Sequence, residues 1–316
     1  MFLGGDFIEI GVRSDGAFGA KPPASFFGAN RGEIGLYADI DGFYTDARQL
    51  RYDYFLPGTP EERWSVGYNG TETASNGQDV GDPESIGTEI TDVSTAERAA
   101  VEVSSQYDET VAIHQEYSFE PDQRFFRTDV TLTNTGPAPI TDVRYQRSHD
   151  PDNGVDLGCS YITNNTVRSQ QPTDGEALVA AQVQDDDACR DESFDEDIPI
   201  FYFSEDDQVR VSTGKSGLSP TPVVYGDRDY TDPQPAGTSV TADTYIALTF
   251  AQSTLEPGES ASFTFYTALT DDIETTLEDI DAERSPASST ATITISNSTI
   301  SDNGGAGITV GTEADE

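Results

Sequence analysis

The feature that most constrains this chain is a period-two alternation of apolar and polar residues, clearest between positions 111 and 134. In VAIHQEYSF (111–119), Val111, Ile113, Tyr117 and Phe119 fall on one side of an extended chain, with His114 and Glu116 on the other. RFFRTDVTLTN (124–134) repeats the pattern, setting Phe126, Thr128, Val130 and Leu132 against Arg127, Asp129, Thr131 and Thr133. A helix would scatter these residues around its axis, whereas a strand gathers them onto one face. TNTGPAP (133–139) supplies a tight turn and ITDVRYQRS starts the next strand, so neighbours pair as an antiparallel meander. IPIFYFS, VRVS, TYIALTF and ASFTFYTAL continue the series. Many short strands separated by Gly, Pro and Asp turns predict a mostly β fold, an antiparallel sandwich or supersandwich.

One helix is expected, in TDDIETTLEDIDAE (270–283). Ile273, Leu277 and Ile280 recur there at helical spacing, and Thr270 or Asp271 is placed to cap the start. The domain reading is therefore a β region over 1–284, a linker SPASST at 285–290, and a segment of different character over 291–316.

Composition sets the habitat. The 316 residues carry 58 acids against 17 bases, a net charge of -41, and the only lysines are Lys21 and Lys215. Disorder is excluded by 14 Tyr and 16 Phe among abundant β-branched residues. Such a surface repels itself in dilute buffer, and at molar salt the Debye length falls to about 3 Å and screens that repulsion. The composition reads as that of a halophile's protein, a haloarchaeon's first. Nucleic acid is excluded as a partner of so acidic a surface. No apolar run is long enough to cross a membrane as a helix, and the start, MFLGGDFIEIGV, has no basic region of a signal peptide. Cys159 and Cys189 are candidates for one disulfide, with two buried thiols as the alternative. Sequons at Asn69, Asn164 and Asn297 lean towards an extracellular or cell-surface location.

Candidate chemistry gathers in RYQRSHDPDNGVD (144–156). Asp150, Asp152, Asn153 and Asp156 surround Gly154, and oxygen donors spaced about a turning glycine suit Ca²⁺. The loop departs from an EF-hand, lacking its twelfth-position Glu and carrying Pro151. Asp39, Asp41 and Asp46 in ADIDGFYTD form a second candidate metal loop. His149 is the candidate acid/base residue. Trp64, the only tryptophan, stands near Tyr54, Tyr68 and Arg63, a grouping able to stack on a sugar ring and grip its hydroxyls.

FFRTDVTLTNTGPAPITDVRYQRSHDPDNG resembles the strand–turn–strand of the galactose mutarotase-like β-supersandwich. Asn134 and Gly136 match that family's turn. His149 falls where its histidine-proline phrase begins, with Asp150 intervening before Pro151. No partner is found for that family's C-terminal glutamate base. Separately, GDFIEIGV, DIDGFY, YDYFLPGTPEERWSVGYNG and RYQRSHDPDNG together resemble a module of very large bacterial and archaeal surface proteins. ATITISNSTISDNGGAGITV (291–310) resembles one rung of a right-handed parallel β-helix, and a lone rung cannot bury its own apolar face. These resemblances imply a non-catalytic structural or adhesive module of a larger surface protein, calcium-stabilised and in contact with glycans or other cell-surface proteins. The alternatives they leave open are a carbohydrate-active enzyme or accessory domain, with His149 as acid/base, and a viral fibre or spike domain.

Overall fold

The computed structural model describes residues 1–45, 51–58, 60–78, 86–184, 198–214, 224–225 and 230–284. Asp46, Cys189, the 285–290 linker and the 291–316 rung lie outside them. The strands, in chain order, are β1 (Phe2–Gly4), β2 (Ile8–Gly11), β3 (Leu36–Asp39), β4 (Arg51–Asp53), β5 (Glu62–Tyr68) and β6 (Glu72–Gln78). Then come β7 (Gly87–Asp92), β8 (Ala99–Tyr107), β9 (Val111–Phe119), β10 (Phe125–Asn134), β11 (Ile140–His149) and β12 (Thr163–Ser169). The last are β13 (Ala177–Val183), β14 (Ile200–Ser204), β15 (Val209–Thr213), β16 (Ser239–Ala242), β17 (Ile246–Leu255) and β18 (Ser260–Leu269), followed by the helix α1 (Ile273–Arg284). A mostly β, antiparallel fold with one C-terminal helix is what the alternation predicts.

Two large sheets face each other. One has nine strands in the order β16-β12-β13-β14-β18-β10-β9-β8-β7, and the other five, β15-β17-β11-β5-β6. The meander read from sequence is present, with Leu132 opposite Ile113 across β9–β10. Beyond its reach are the long-range partners: β10 also pairs with β18, Val130 opposite Phe263, and β11 with both β5 and β17. Val130, Leu132, Tyr145, Phe263 and Phe265 fill the space between the sheets, where Phe250 stacks on Phe263 at 4.2 Å. Each such fully buried side chain contributes about 1.5–3 kcal/mol relative to exposure.

The turn after β10 is built around Asn134, which is fully buried. Its Oδ1 accepts from Gly136 N–H, and its Nδ2 donates to the carbonyls of Ala138 and Leu255. That one side chain ties the β10–β11 turn to the end of β17.

Helix α1 lies on the other face of the nine-stranded sheet, where Ile273 and Ile280 meet Phe125, Phe201, Phe203 and Tyr266. This cover explains why Phe125 is buried although it points away from the inter-sheet core. The cap is Asp272, not Thr270 or Asp271: its Oδ1 accepts from Glu274 N–H and Thr275 N–H.

Residues 1–58 contribute a four-stranded sheet, β1-β2-β3-β4. Its Ile8, Ile10, Leu36 and Ala38 join the same core as the large sheets, so it is part of the sandwich. Between β2 and β3 the chain turns back at residues 13–17, where Gly16 N–H donates to Arg13 O. This turn is wedged between the sheets: Trp64 Nε1 and Asn76 Nδ2 donate to Asp15 O, and Tyr117 O–H donates to Gly16 O. Gly16 has φ +78°, and a Cβ there would stand 2.6 Å from Val103 Cγ1, so glycine alone fits.

Candidate functional site

The period of two on β11 puts Val143, Tyr145, Arg147 and His149 on its inward face, and on β5 it does the same for Glu62, Trp64, Val66 and Tyr68. Arg147 Nε stands 2.6 Å from Glu62 Oε1, with side-chain exposures of 1% and 0%. Phe18 N–H donates to Glu62 Oε2 at 2.7 Å, and Arg147 Nη1 donates to Tyr117 O–H at 2.7 Å. The guanidinium also lies 4.1 Å from the Phe18 ring centre. Burial raises the Glu62 carboxyl above its ordinary range while Arg147 and the Phe18 amide pull it back. Burial works against the Arg147 charge, but Glu62 outweighs it and holds the guanidinium above its ordinary value. The charged pair is the form this geometry holds. An isolated charge here would be costly, so each partner requires the other.

His149 ends β11 with no exposed surface. Its Nδ1 is 2.8 Å from the Tyr202 hydroxyl, whose ring packs edge-on against it. Burial, and then the neighbouring Arg147 charge, lower its pKa to about 3, so the ring is neutral at any ordinary pH. A ring sealed in the core cannot reach a substrate, which corrects the expectation of an acid/base His149. Sequence reasoning missed Glu62 and Arg147. The available signal was a pair of opposite charges at inward-facing positions of two strands.

The proposed sugar platform is corrected in the same way. Trp64 and Tyr54 have no exposed surface and Tyr68 is 6% exposed. Trp64 stacks on Tyr145, and the Tyr68 hydroxyl donates to Asp108. Arg63 is half-buried beside Glu61 and Glu62, and burial lowers its pKa to about 10. Closeness in sequence carries no depth information; the alternation of β5 does, and it points Trp64 and Tyr68 inward.

The 150–156 loop is drawn together, though not as a ligand set. Asp150 N–H donates to Glu61 O and Asp152 N–H to Tyr54 O, fixing the loop to the chain between β4 and β5. Asn153 turns its Nδ2 to the carbonyls of Ala181 and Ile198. Asp156 accepts from Asp53 N–H and is paired with Arg31. Among the described residues no three His, Cys, Asp or Glu side chains are grouped to hold a metal ion. Instead Asp150 feels the charge of Asp243, a residue that no sequence motif singles out. Burial, then the Asp243 charge, push Asp150 up to about 8. Asp152 is 3% exposed, and burial together with Asp150 and Asp243 pushes it up to about 9. The register explains the meeting: His149 lies opposite both Ile246 and Glu62, so the residues just beyond three strand ends converge. In the second candidate loop, Asp39 is 1% exposed and held by Arg51 Nε at 2.7 Å. Cys159 is disulfide-bonded, and the only other cysteine of the chain is Cys189.

Two recesses among the described residues open to solvent. One of about 420 Å³ is lined by Arg31, Gly32, Glu33, Leu56, Pro57 and Pro60, at the end where the 150–156 loop sits. Another, of about 560 Å³, follows the outer face of β10 and β18 beside Arg284.

No family model matches the chain, and no curated protein matches it. Solved structures that resemble it include a heparan sulfate lyase from Pedobacter heparinus, at 6% identity and TM-score 0.34, covering 58% of this chain and 22% of that one. A GH36 α-galactosidase from Geobacillus stearothermophilus gives 11% identity and TM-score 0.37, covering 86% of this chain and 40% of that one. A galactose mutarotase related enzyme from Lactobacillus acidophilus gives 10% identity and TM-score 0.33, covering 86% of this chain and 98% of that one. This chain spans 22% of the heparan sulfate lyase and 40% of the galactosidase. At these scores the likenesses carry no argument about activity.

Proposed function

We propose that the chain is a non-catalytic β-sandwich module of a larger extracellular or surface protein working in brine, and that it contacts carbohydrate. One observation carries the non-catalytic reading: Glu62, Arg147 and His149, the groups with acid–base potential on the inward faces, have at most 1% exposure. A catalytic acid or base must come within hydrogen-bond reach of the proton it moves, and these side chains are consumed by Phe18, Tyr117 and Tyr202. The net charge of -41 supports a saline setting. A secreted location and adhesion are further parts of the proposal, and both rest on sequence.

The test is a turnover screen. Purified protein is incubated at molar salt with neutral and uronate-containing polysaccharides, and reducing ends and unsaturated products are followed. The expected result is no product. Turnover of any of these polysaccharides by the purified protein would overturn the reading.

A further inference from the structure

The recess beside the 150–156 loop has features that neither the alternation nor the sequence motifs single out. Its walls come from two turns of the N-terminal sheet. Arg31 follows a short 3-10 turn (Phe27–Asn30), with its own N–H bonded to Gly28 O. Its guanidinium is fixed twice, by pairing with Asp156 and by lying 5.2 Å over the Tyr37 ring. The opposite wall is Leu56-Pro57, positioned by Asp53, which is fully buried and accepts from Gly35, Phe55 and Leu56 N–H groups. Asp53 N–H donates in turn to Asp156, so one carboxylate holds both walls in place.

Tyr161, packed on Gly58 next to the wall residue Pro57, is 44% exposed, one of three large hydrophobic side chains that reach solvent among the described residues. Its ring lies against Gly58. Gly58 has φ +82°, and a Cβ there would stand 2.7 Å from Tyr161 Cε1, so the glycine lets the ring settle where it does. An exposed aromatic immobilised on a backbone loses little further freedom when a ligand arrives.

We infer that this recess, with Arg31, Glu33, Leu56, Pro57 and Pro60 as its walls and Tyr161 at its flank, binds a neutral pyranose-containing glycan. A pyranose presents apolar C–H faces and a rim of hydroxyls. The Tyr161 ring and the Pro57 and Leu56 side chains match the faces. The fixed Arg31 donors match the rim. The volume, about 420 Å³, falls in the range of small-molecule sites, about 300–1,000 Å³. Charge selects against anionic glycans. Arg31 is already committed to Asp156 and Glu33 lines the same recess, so a sulfate or uronate would meet an acid rather than an unpaired cation.

The inference rests on the reading of the chain as a carbohydrate-contacting module, and one experiment separates their failures. Maltohexaose, cellohexaose and galactotetraose are titrated calorimetrically into the whole chain at molar salt, with heparin as the anionic probe. Wild type is compared with Tyr161→Ala and Tyr161→Phe, each checked by circular dichroism. The expected result is binding of at least one neutral oligosaccharide, weakened about tenfold or more in Tyr161→Ala and retained in Tyr161→Phe. Binding that survives Tyr161→Ala unchanged, or preference for heparin, overturns the assignment of this recess. No binding by any neutral probe overturns it too and leaves the non-catalytic reading intact. Cleavage of a probe during titration overturns the non-catalytic reading instead.

Discussion

Replacing Glu62 with glutamine is the sharpest perturbation of this fold. The change is nearly isosteric and keeps an oxygen able to accept from Phe18 N–H, so packing is preserved while the charge is removed. What it leaves behind is the Arg147 guanidinium, 1% exposed, with Tyr117 O–H and the Phe18 and Tyr117 rings as its remaining partners. Breaking a buried ion pair from one side costs about 3–5 kcal/mol. For a domain of this size each kcal/mol lowers the melting temperature by about 2–4 °C, so a loss near the middle of that range predicts a fall of about 8–16 °C. Differential scanning calorimetry at molar salt measures it. The companion variant is Glu62→Gln with Arg147→Met, which removes the orphaned charge and fills its volume with an apolar chain. It should be more stable than Glu62→Gln alone, because the penalty lies in the unpaired guanidinium rather than in the missing attraction. A loss below about 1 kcal/mol in Glu62→Gln, the size expected of an exposed pair, would refute the argument. So would a double variant whose loss equals the sum of the two singles.

Two further outcomes follow from the loop at the sandwich end. Asp150 and Asp152 hold their protons in the fold up to about 8 and about 9, against 3.8 in the unfolded chain, so their contribution to stability is complete below that lower value and is lost as pH rises towards 9. Melting temperature should therefore fall from acid to alkaline pH at constant salt, and Asp243→Asn should flatten the fall; a profile unchanged by that substitution would contradict Asp243 as a cause of the raised Asp150. Asp156→Asn should lower the melting temperature even with a chelator present, because it weakens the hold on Arg31 and the Asp53 amide. A loss seen only when calcium is supplied would point instead to metal ligation.

What the sequence revealed follows from the physics of each signal. The strands of residues 111–134 and the helix at its C-terminal end were legible because burial on one face imposes a period, and a period survives in a single sequence. Pairing across large separations was not. Nothing local in Val130 announces Phe263, and nothing in Asp150 announces Asp243, since register is decided by which apolar faces meet after collapse. The same limit explains Trp64 and His149, whose residue types suggested a surface role while their strand positions point inward. The recess at Arg31 and Leu56 was illegible for another reason. It is assembled from turns, where side-chain direction follows hydrogen bonds such as those of Asp53 rather than any repeat.

The wedge at residues 13–17 has a consequence for how the chain is made. Asp15 and Gly16 are synthesised well before the strands that hold them, since Asn76 and Tyr117 emerge much later and Tyr117 belongs to a sheet completed only by β18. During translation this turn must wait, exposed, until the two large sheets begin to close. It then enters as they do, like a gasket set before the flange is tightened. Cutting the chain near residue 58 to obtain a smaller sandwich would thus produce a protein that closes around nothing, with Glu62 lacking the Phe18 amide and Trp64 lacking a carbonyl for its indole.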